Sequence, residues 1–389
     1  MTMAFPSRIV VRGDLQLSTK KQTYANTLAM RAWRALAALI CAFDMETWHF
    51  DAVNAFLNSR LNPDEQVYCH MPDGFKEKGK TWLLQRALYG LTRSPFLWFT
   101  ELSSTLKDLG FKPVPEEPCI LSNGRIIIFF YVDDIIMAFR PCDREEAIII
   151  KARLFDKYEF RDLGELKWFL NIRITRDKEN RKLYLTQDGY IDNIIKRFGL
   201  EHAPTSHTPL SREASQFVPF EGQASSDQIH EYQERLGSLI YLANSLRIDI
   251  AHPASLLARF MHNPSPIHRA EADHVITYLR DHKWLSLAVD GNVPLPVGCM
   301  QVFEGASDAA YGDDHATRRS SEGYVFRLYK CPIDWRAIRQ DTVTTSTTEA
   351  ELLALTHTGK QIMWWQRFFK QLGFEPGHEY TLHCDNWGL

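Results

Sequence analysis

The run FFYVDDIIMAF, from Phe129 to Phe139, constrains the fold of this chain more than any other. Two adjacent aspartates, Asp133 and Asp134, interrupt residues that otherwise belong inside a β-sheet. Burying a carboxylate costs on the order of several kcal/mol unless a cation or hydrogen bonds compensate it. Two side by side also repel. A hairpin reconciles the pattern: RIIIFFYV and IIMAF form its strands, and the acids sit at its tip. Taken alone, a DD pair is an ordinary turn. Two features argue for more. Tyr131 stands just before the pair, giving Y-V-D-D. Asp51 ends a second apolar strand, with His49 and Asp51 on the face opposite Trp48 and Phe50. If the two strands are neighbours, three carboxylates converge and raise one another's pKa values. A pair of divalent cations about 4 Å apart relieves that repulsion, and this is the geometry of phosphoryl transfer. Carboxylates with substrate phosphates suit magnesium better than any soft metal.

Composition narrows the class. The 389 residues suffice for two or three domains, and 45% hydrophobic with 24% charged residues is globular. A net charge of -3 excludes a generally basic nucleic-acid binder, so any such role rests on local patches. The 7 cysteines include no C-x-x-C pair, which argues for reduced, intracellular thiols and against a zinc site or disulfide framework. No apolar run reaches the roughly 18 residues of a membrane span, and the start has no signal core. Both ends read as cut: RIVVRG lies close to the start, and the chain stops just after a strand-like stretch.

Along the chain, WRALAALICAF reads as a buried helix and TWHFDAVNAFL as a strand turning into a helix. RSPFLWFTELSSTLKDLGF is a helix with Ser94 as its cap, Pro95 in its first turn, Trp98, Leu102, Leu106 and Leu109 on one face, and Gly110 at its end. PCDREEAIIIKARLFDKYEF is another helix, and LKWFLNIRITRDKENRKLYLTQ a second hairpin. A linker rich in Ser, Pro and Thr runs from about Pro204 to Gly222, helices follow, and a second boundary falls near Asp290 to Pro296. The remainder reads β-β-β-α-β, with a long helix from Thr347 to Leu372.

Ordered segments carry a family resemblance: RIVVRG, FDAVNAFLNSRL, VYCHMPDGF, LQRALYGLTRSPFLWF, YVDD, LTQDGYI, RLGSLIYLANSLRIDI, SDAAYGD, RRSSEGYVF and TTEAELLAL. In this order they resemble the reverse transcriptase and ribonuclease H region of a copia-type LTR-retrotransposon polyprotein, over nearly the whole chain. The resemblance implies an α+β chain: a right-hand polymerase (fingers, palm, thumb) followed by a truncated ribonuclease H-like α/β domain. The implied domains are residues 1–203 for fingers and palm, 204–296 for linker and helical thumb or connection, and 297–389 for the ribonuclease H-like part. Asp51 and Asp133 match the acids that hold two metals, and Asp134 matches the third, with a weaker direct role. Phe56 matches the bulky gate beneath the incoming sugar, where a ring leaves no room for a 2′-hydroxyl. Tyr89 and Gly90, in LYGLTRSP, match the nucleotide and template pocket, and Tyr131 precedes the acids. Arg8 and Arg12 match basic fingers positions that meet a triphosphate. The implied cofactor is Mg²⁺ or Mn²⁺. The implied partners are an RNA template, a DNA primer and dNTPs, with no membrane. The implied setting is intracellular, in cytoplasm, element particles or nucleus.

In the tail, Asp308, Glu351 and Asp385 match the metal-binding acids of ribonuclease H, with Glu349 the alternative to Glu351. The chain stops four residues after Asp385, before the later helices and fourth acid of that domain, so hybrid cleavage is not expected. Pro6 replaces a usual Lys, Asn171 a usual Gly, and LRIDI and SDAAY depart from the family's TRPDI and SDADW. Two competing expectations follow: an inactive relic that keeps the fold and only binds nucleic acid, or a general two-metal nuclease. The nuclease leaves Phe56 and LYGLTRSP without a role.

Overall fold

Helix α1 (Met30–Ala42) sets the division of the chain. Residues 32–42 are all buried, the pattern of a helix enclosed on every side. The computed structural model describes residues 9–16, 21–213, 216–292, 302–377 and 380–385. It separates into two compact units: residues 1–29 with 45–166, and residues 30–44 with 167–389. Both mix helices and sheets, so the chain is α+β. No described helix is long and apolar enough to cross a membrane.

The first unit holds β1 (Glu46–Ala52), β2 (Val67–Cys69), β3 (Trp82–Leu84), α2 (Ser94–Asp108), β4 (Lys112–Val114), β5 (Glu117–Ser122), β6 (Ile126–Tyr131), β7 (Asp134–Phe139), α3 (Arg144–Lys157) and β8 (Phe160–Gly164). Six strands form one antiparallel sheet in the order β4-β5-β6-β7-β1-β8, and β2 pairs with β3. Continuous burial along β6 and β7 explains their unbroken apolar sequence. The expected helix after β1 is one 3-10 turn, Ala55–Asn58, because Asn54 enters the left-handed region at φ 53°. Helix α2 starts as expected, but Ser94 does not cap it: its Oγ donates to Leu88 O at 2.6 Å. Gly110, at φ 92°, ends it.

The second unit adds to α1 the strands β9 (Trp168–Phe169), β10 (Ile172–Asp177) and β11 (Lys182–Thr186) and the helix α4 (Asp188–Phe198). Helices α5 (Ser226–Ser245), α6 (Ala251–Ala258) and α7 (Pro266–Asp281) follow, then β12 (Leu287–Asp290). The tail is β13 (Phe303–Ala310), β14 (Ser321–Leu328), β15 (Cys331–Arg339), α8 (Thr347–Leu372) and β16 (Thr381–His383). One sheet runs β12-β11-β10-β9; the other runs β15-β14-β13-β16, with β16 parallel to β13. The tail therefore has the expected β-β-β-α-β order, and α8 is the crossover a parallel pair requires. Ser346 caps α8 through the Glu349 amide, and Gly373 ends it in the left-handed conformation.

These units cut the chain elsewhere than positions 203 and 296. Asp290 ends a strand paired with β11 rather than opening a boundary, and residues 293–301 lie outside the described residues. The first stretch of the expected linker is laced to α7. Ser206 N donates to Asp281, Ser211 N and Oγ donate to Glu271, and His274 Nε2 meets Thr208 O at 2.9 Å. Ser and Thr read as linker composition, yet here Ser206 and Ser211 supply donors that hold the segment to α7.

Within the helical core, His268 gives a pH prediction. It is 1% exposed, its ring stacks on Phe260 at 3.8 Å, and Nδ1 accepts the Ser265 amide at 3.0 Å. That cap needs a neutral imidazole, and burial lowers the pKa below its ordinary 6.5. A folded pKa below the unfolded one gives stability that is fully present above the unfolded value and lost as pH falls through the folded one. The urea midpoint should therefore drop between about pH 7.5 and pH 5. His268→Gln keeps the reciprocal cap and should show a smaller drop. Equal drops in the two proteins would contradict this.

Candidate active sites

The hairpin β6–β7 positions the first acids. Tyr131 pairs with Asp134, so Val132 and Asp133 form a two-residue turn. Val132 has φ 56°, a conformation costing a β-branched residue about 1–3 kcal/mol. Two bonds hold it there. Trp98 Nε1 donates to Val132 O at 2.6 Å, and Ala52 N donates to Asp133 O at 2.9 Å. The turn is therefore tied to both α2 and β1.

Strand β1 lies beside β7, with Asp51 directly opposite Asp134. Opposed residues of an antiparallel pair share a face, so Asp51 and Asp134 lie on one face of the sheet. The acids are not equivalent. Asp51 and Asp133 line a cleft of about 710 Å³, together with Ile9, Tyr89 and Arg161. Asp134 instead accepts from His49 Nε2 at 2.9 Å. Arg161 faces Asp51 from β8, with 3.8 Å between Nη1 and the Asp51 carboxylate.

Tyr89 lines the cleft, and the half-buried Tyr131 lies at the hairpin end. Phe56 is buried and packs on Tyr89, ring centroids 4.7 Å apart; it stands behind Tyr89 rather than in the cleft wall. Gly90 has φ 92°, and a Cβ there would fall 1.9 Å from Val11 O. Only glycine permits this approach, through which Val11 N donates to Tyr89 O at 2.8 Å. Arg12 is exposed and forks onto Asp14 at 2.8 and 2.6 Å, away from the cleft wall. Arg8 lies outside the described residues.

A second acidic site forms in the tail. Glu351, on α8, is buried; Oε1 accepts the Ala309 amide at 3.2 Å, and Oε2 accepts Cys384 Sγ at 3.8 Å. Burial raises its pKa, and the nearby charges of Asp308 and Asp385 raise it further against the Ala309 bond. The three expected acids are thus electrostatic neighbours. Glu349 instead bonds Thr345 at the start of α8, as a helix-end carboxylate does.

Both sites offer hard oxygen donors that fit magnesium or manganese. Among the described residues, one group of three ligand atoms lies within 4.8 Å of one another: Glu351, Cys384 and Asp385. Asp51, Asp133 and Asp134 do not form such a group. Asp134 is instead bonded to His49.

Sequence reasoning missed Arg161, Trp98 and Cys384. Arg161 carried no signal, because only strand pairing sets it opposite Asp51. Trp98 showed only as a buried helix position.

A family model described as reverse transcriptase (RNA-dependent DNA polymerase) matches residues 1–212. The retrovirus-related Pol polyprotein from transposon TNT 1-94 of Nicotiana tabacum is 30% identical over 98% of this chain and 29% of its own length. The corresponding polyprotein from transposon RE2 of Arabidopsis thaliana is 28% identical over 87% of this chain and 23% of its own length. A putative transposon Ty5-1 protein of Saccharomyces cerevisiae is 30% identical over 80% of this chain and 100% of its own length. The chain thus spans under a third of the two plant polyproteins.

Proposed function

The chain belongs to the reverse transcriptase (RNA-dependent DNA polymerase) family, and from that premise we propose that its first unit copies an RNA template into DNA by adding dNTPs to a primer 3′-hydroxyl. The observation that carries this is the shared cleft of Asp51 and Asp133, set by the register of β1 against β7. The family depends on divalent metal; magnesium or manganese is the ion proposed here. Asp51 and Asp133 would hold it, and when bound it activates the 3′-hydroxyl and neutralises charge on the phosphates. Asp134 is a positioning residue that fixes the hairpin end through His49.

The remaining side chains shape the nucleotide. Tyr89 forms the wall that meets the sugar, and Phe56 keeps it in place. Gly90 lets the segment at Val11 close against that wall. In this reading the first unit supplies fingers and palm, the helices α4 to α7 act as thumb or connection, and Asp308, Glu351 and Asp385 form the metal corner of a ribonuclease H-like fold.

The test is primer extension by the purified chain on an RNA template, with dNTPs and Mg²⁺ or Mn²⁺. Metal- and template-dependent extension supports the proposal. A folded protein that binds primer–template yet extends nothing under either metal leaves only a binding relic. Phe56→Val should raise ribonucleotide use relative to deoxynucleotide by roughly 10- to 200-fold, the discrimination a filled pocket supplies. Unchanged sugar selection in an active variant would remove the gate from the Phe56–Tyr89 pair.

A further inference from the structure

Val132 stands in the two-residue turn before Asp134 with φ 56°, a left-handed conformation that a β-branched side chain resists. Such a turn persists only where its surroundings over-determine it. Here a tryptophan does so: Trp98 Nε1 donates to Val132 O at 2.6 Å. Trp98 is itself fixed. It is 1% exposed and meets Tyr158 edge-on, ring centroids 5.5 Å apart. The Tyr158 hydroxyl in turn bonds Glu101 at 2.9 Å and Thr105 at 2.6 Å, both on α2. The donor therefore has little freedom to follow a relaxing turn.

The same helix face holds another part of the cleft. Ser94, four residues before Trp98, donates to Leu88 O at 2.6 Å. Leu88 and Tyr89 line the cleft with Asp51 and Asp133. One face of α2 thus ties both the nucleotide wall and the acid turn.

We infer that Trp98 is a positioning residue: its indole N–H holds the Val132 turn so that the next residue, Asp133, presents its carboxylate to the cleft as a metal ligand. Trp98 is absent from the cleft lining, so it acts through Asp133. The inference rests on reading Asp51 and Asp133 as metal-holding acids, and adds a residue that sets how well they hold the ion. Groups that orient a metal ligand govern affinity by roughly 10- to 100-fold.

The experiment uses the full chain with an RNA template, a DNA primer ending in a dideoxynucleotide and the matching dNTP. The dideoxy end stops chemistry, so electron paramagnetic resonance of added Mn²⁺ reads binding alone. The relevant component is the one that Asp133→Asn removes. Trp98→Phe keeps a ring in place and loses the N–H. It should weaken that component roughly 10- to 100-fold with primer–template affinity unchanged. With an extendable primer, the single-turnover rate should fall alongside and recover as Mn²⁺ is raised. A packing role alone would lower the melting temperature and leave both readouts unmoved. Val132→Gly supplies a second arm, because glycine takes a left-handed φ without steric cost. In that background, Trp98→Phe should change Mn²⁺ affinity by no more than about threefold. Circular dichroism verifies the folds. Unchanged Mn²⁺ affinity in folded Trp98→Phe, or equal losses in the two backgrounds, overturns the inference and leaves the metal-holding reading standing. A wild-type complex with no Asp133-dependent Mn²⁺ component overturns both.

Discussion

Asp133→Asn should remove primer extension, with a loss of about a thousandfold or more. The substitution leaves shape and hydrogen-bonding capacity in the turn but takes away the charge that faces the cleft. Stabilising a transferring phosphoryl group is worth several kcal/mol, and each ~1.4 kcal/mol is a factor of ten. Asp51→Asn should behave alike, because Asp51 lines the same cleft. Asp134→Asn should cost clearly less, since its carboxylate is engaged by His49 rather than directed at the cleft lining. Single-turnover extension with Mn²⁺, alongside primer–template affinity, separates chemistry from binding. Equal losses for the three variants would contradict the different roles of Asp133 and Asp134.

Arg34→Ala should be the most damaging single change to the second unit, at about 3–5 kcal/mol. Arg34 sits on α1, is buried, and stacks over Trp335 at 3.8 Å. Nε donates to Ile333 O on β15 at 2.6 Å. Nη1 donates to Asn244 O and Ser245 O, both at 2.6 Å. Those two carbonyls end α5, where a cation also meets the negative end of the helix dipole. Burial lowers the guanidinium pKa to about 10, so it stays charged at neutral pH. Its removal strands three carbonyls and leaves Asp334, buried beside it, with Arg31 at 3.8 Å as its ion-pair partner. Arg34→Lys keeps the charge but not the fork, and should recover only part of the loss. Urea unfolding measures both, and a change within about 0.5 kcal/mol for Arg34→Ala would refute the assignment.

Much of this was legible in the sequence, for physical reasons that differ by element. The hairpin was legible because an apolar run with two acids has few other solutions. Helix α8 was legible close to its ends, about Thr347 to Leu372, and the structure shows Ser346 and Gly373 capping it. Asp51 was legible as a strand-end acid, but its pairing with β7 stood only as a condition until the register of the two strands was seen. What escaped depends on contacts remote in sequence. Nothing in WRALAALICAF says that its helix joins the second unit, because that follows from contacts remote in sequence, such as Trp33 with Phe169 and Arg34 with Trp335 and three carbonyls. Nothing in the Ser- and Thr-rich stretch after Pro204 says that it is bonded to α7. Ser94 looked like a cap because Ser precedes Pro at many helix starts, yet its hydroxyl found Leu88 O first. Arg12 looked like a cleft residue, but an acid two positions on captured it.

The central claim is that Asp51 and Asp133 hold one metal-bearing site. The direct measurement is anomalous diffraction from Mn²⁺ in crystals of the full chain with primer–template and an incoming dNTP. The account predicts a manganese peak within about 2.1 Å of a carboxylate oxygen of both Asp51 and Asp133, with Arg161 moved off Asp51. Manganese bound elsewhere in crystals that hold the dNTP, or held by Asp134 without Asp51, would contradict it.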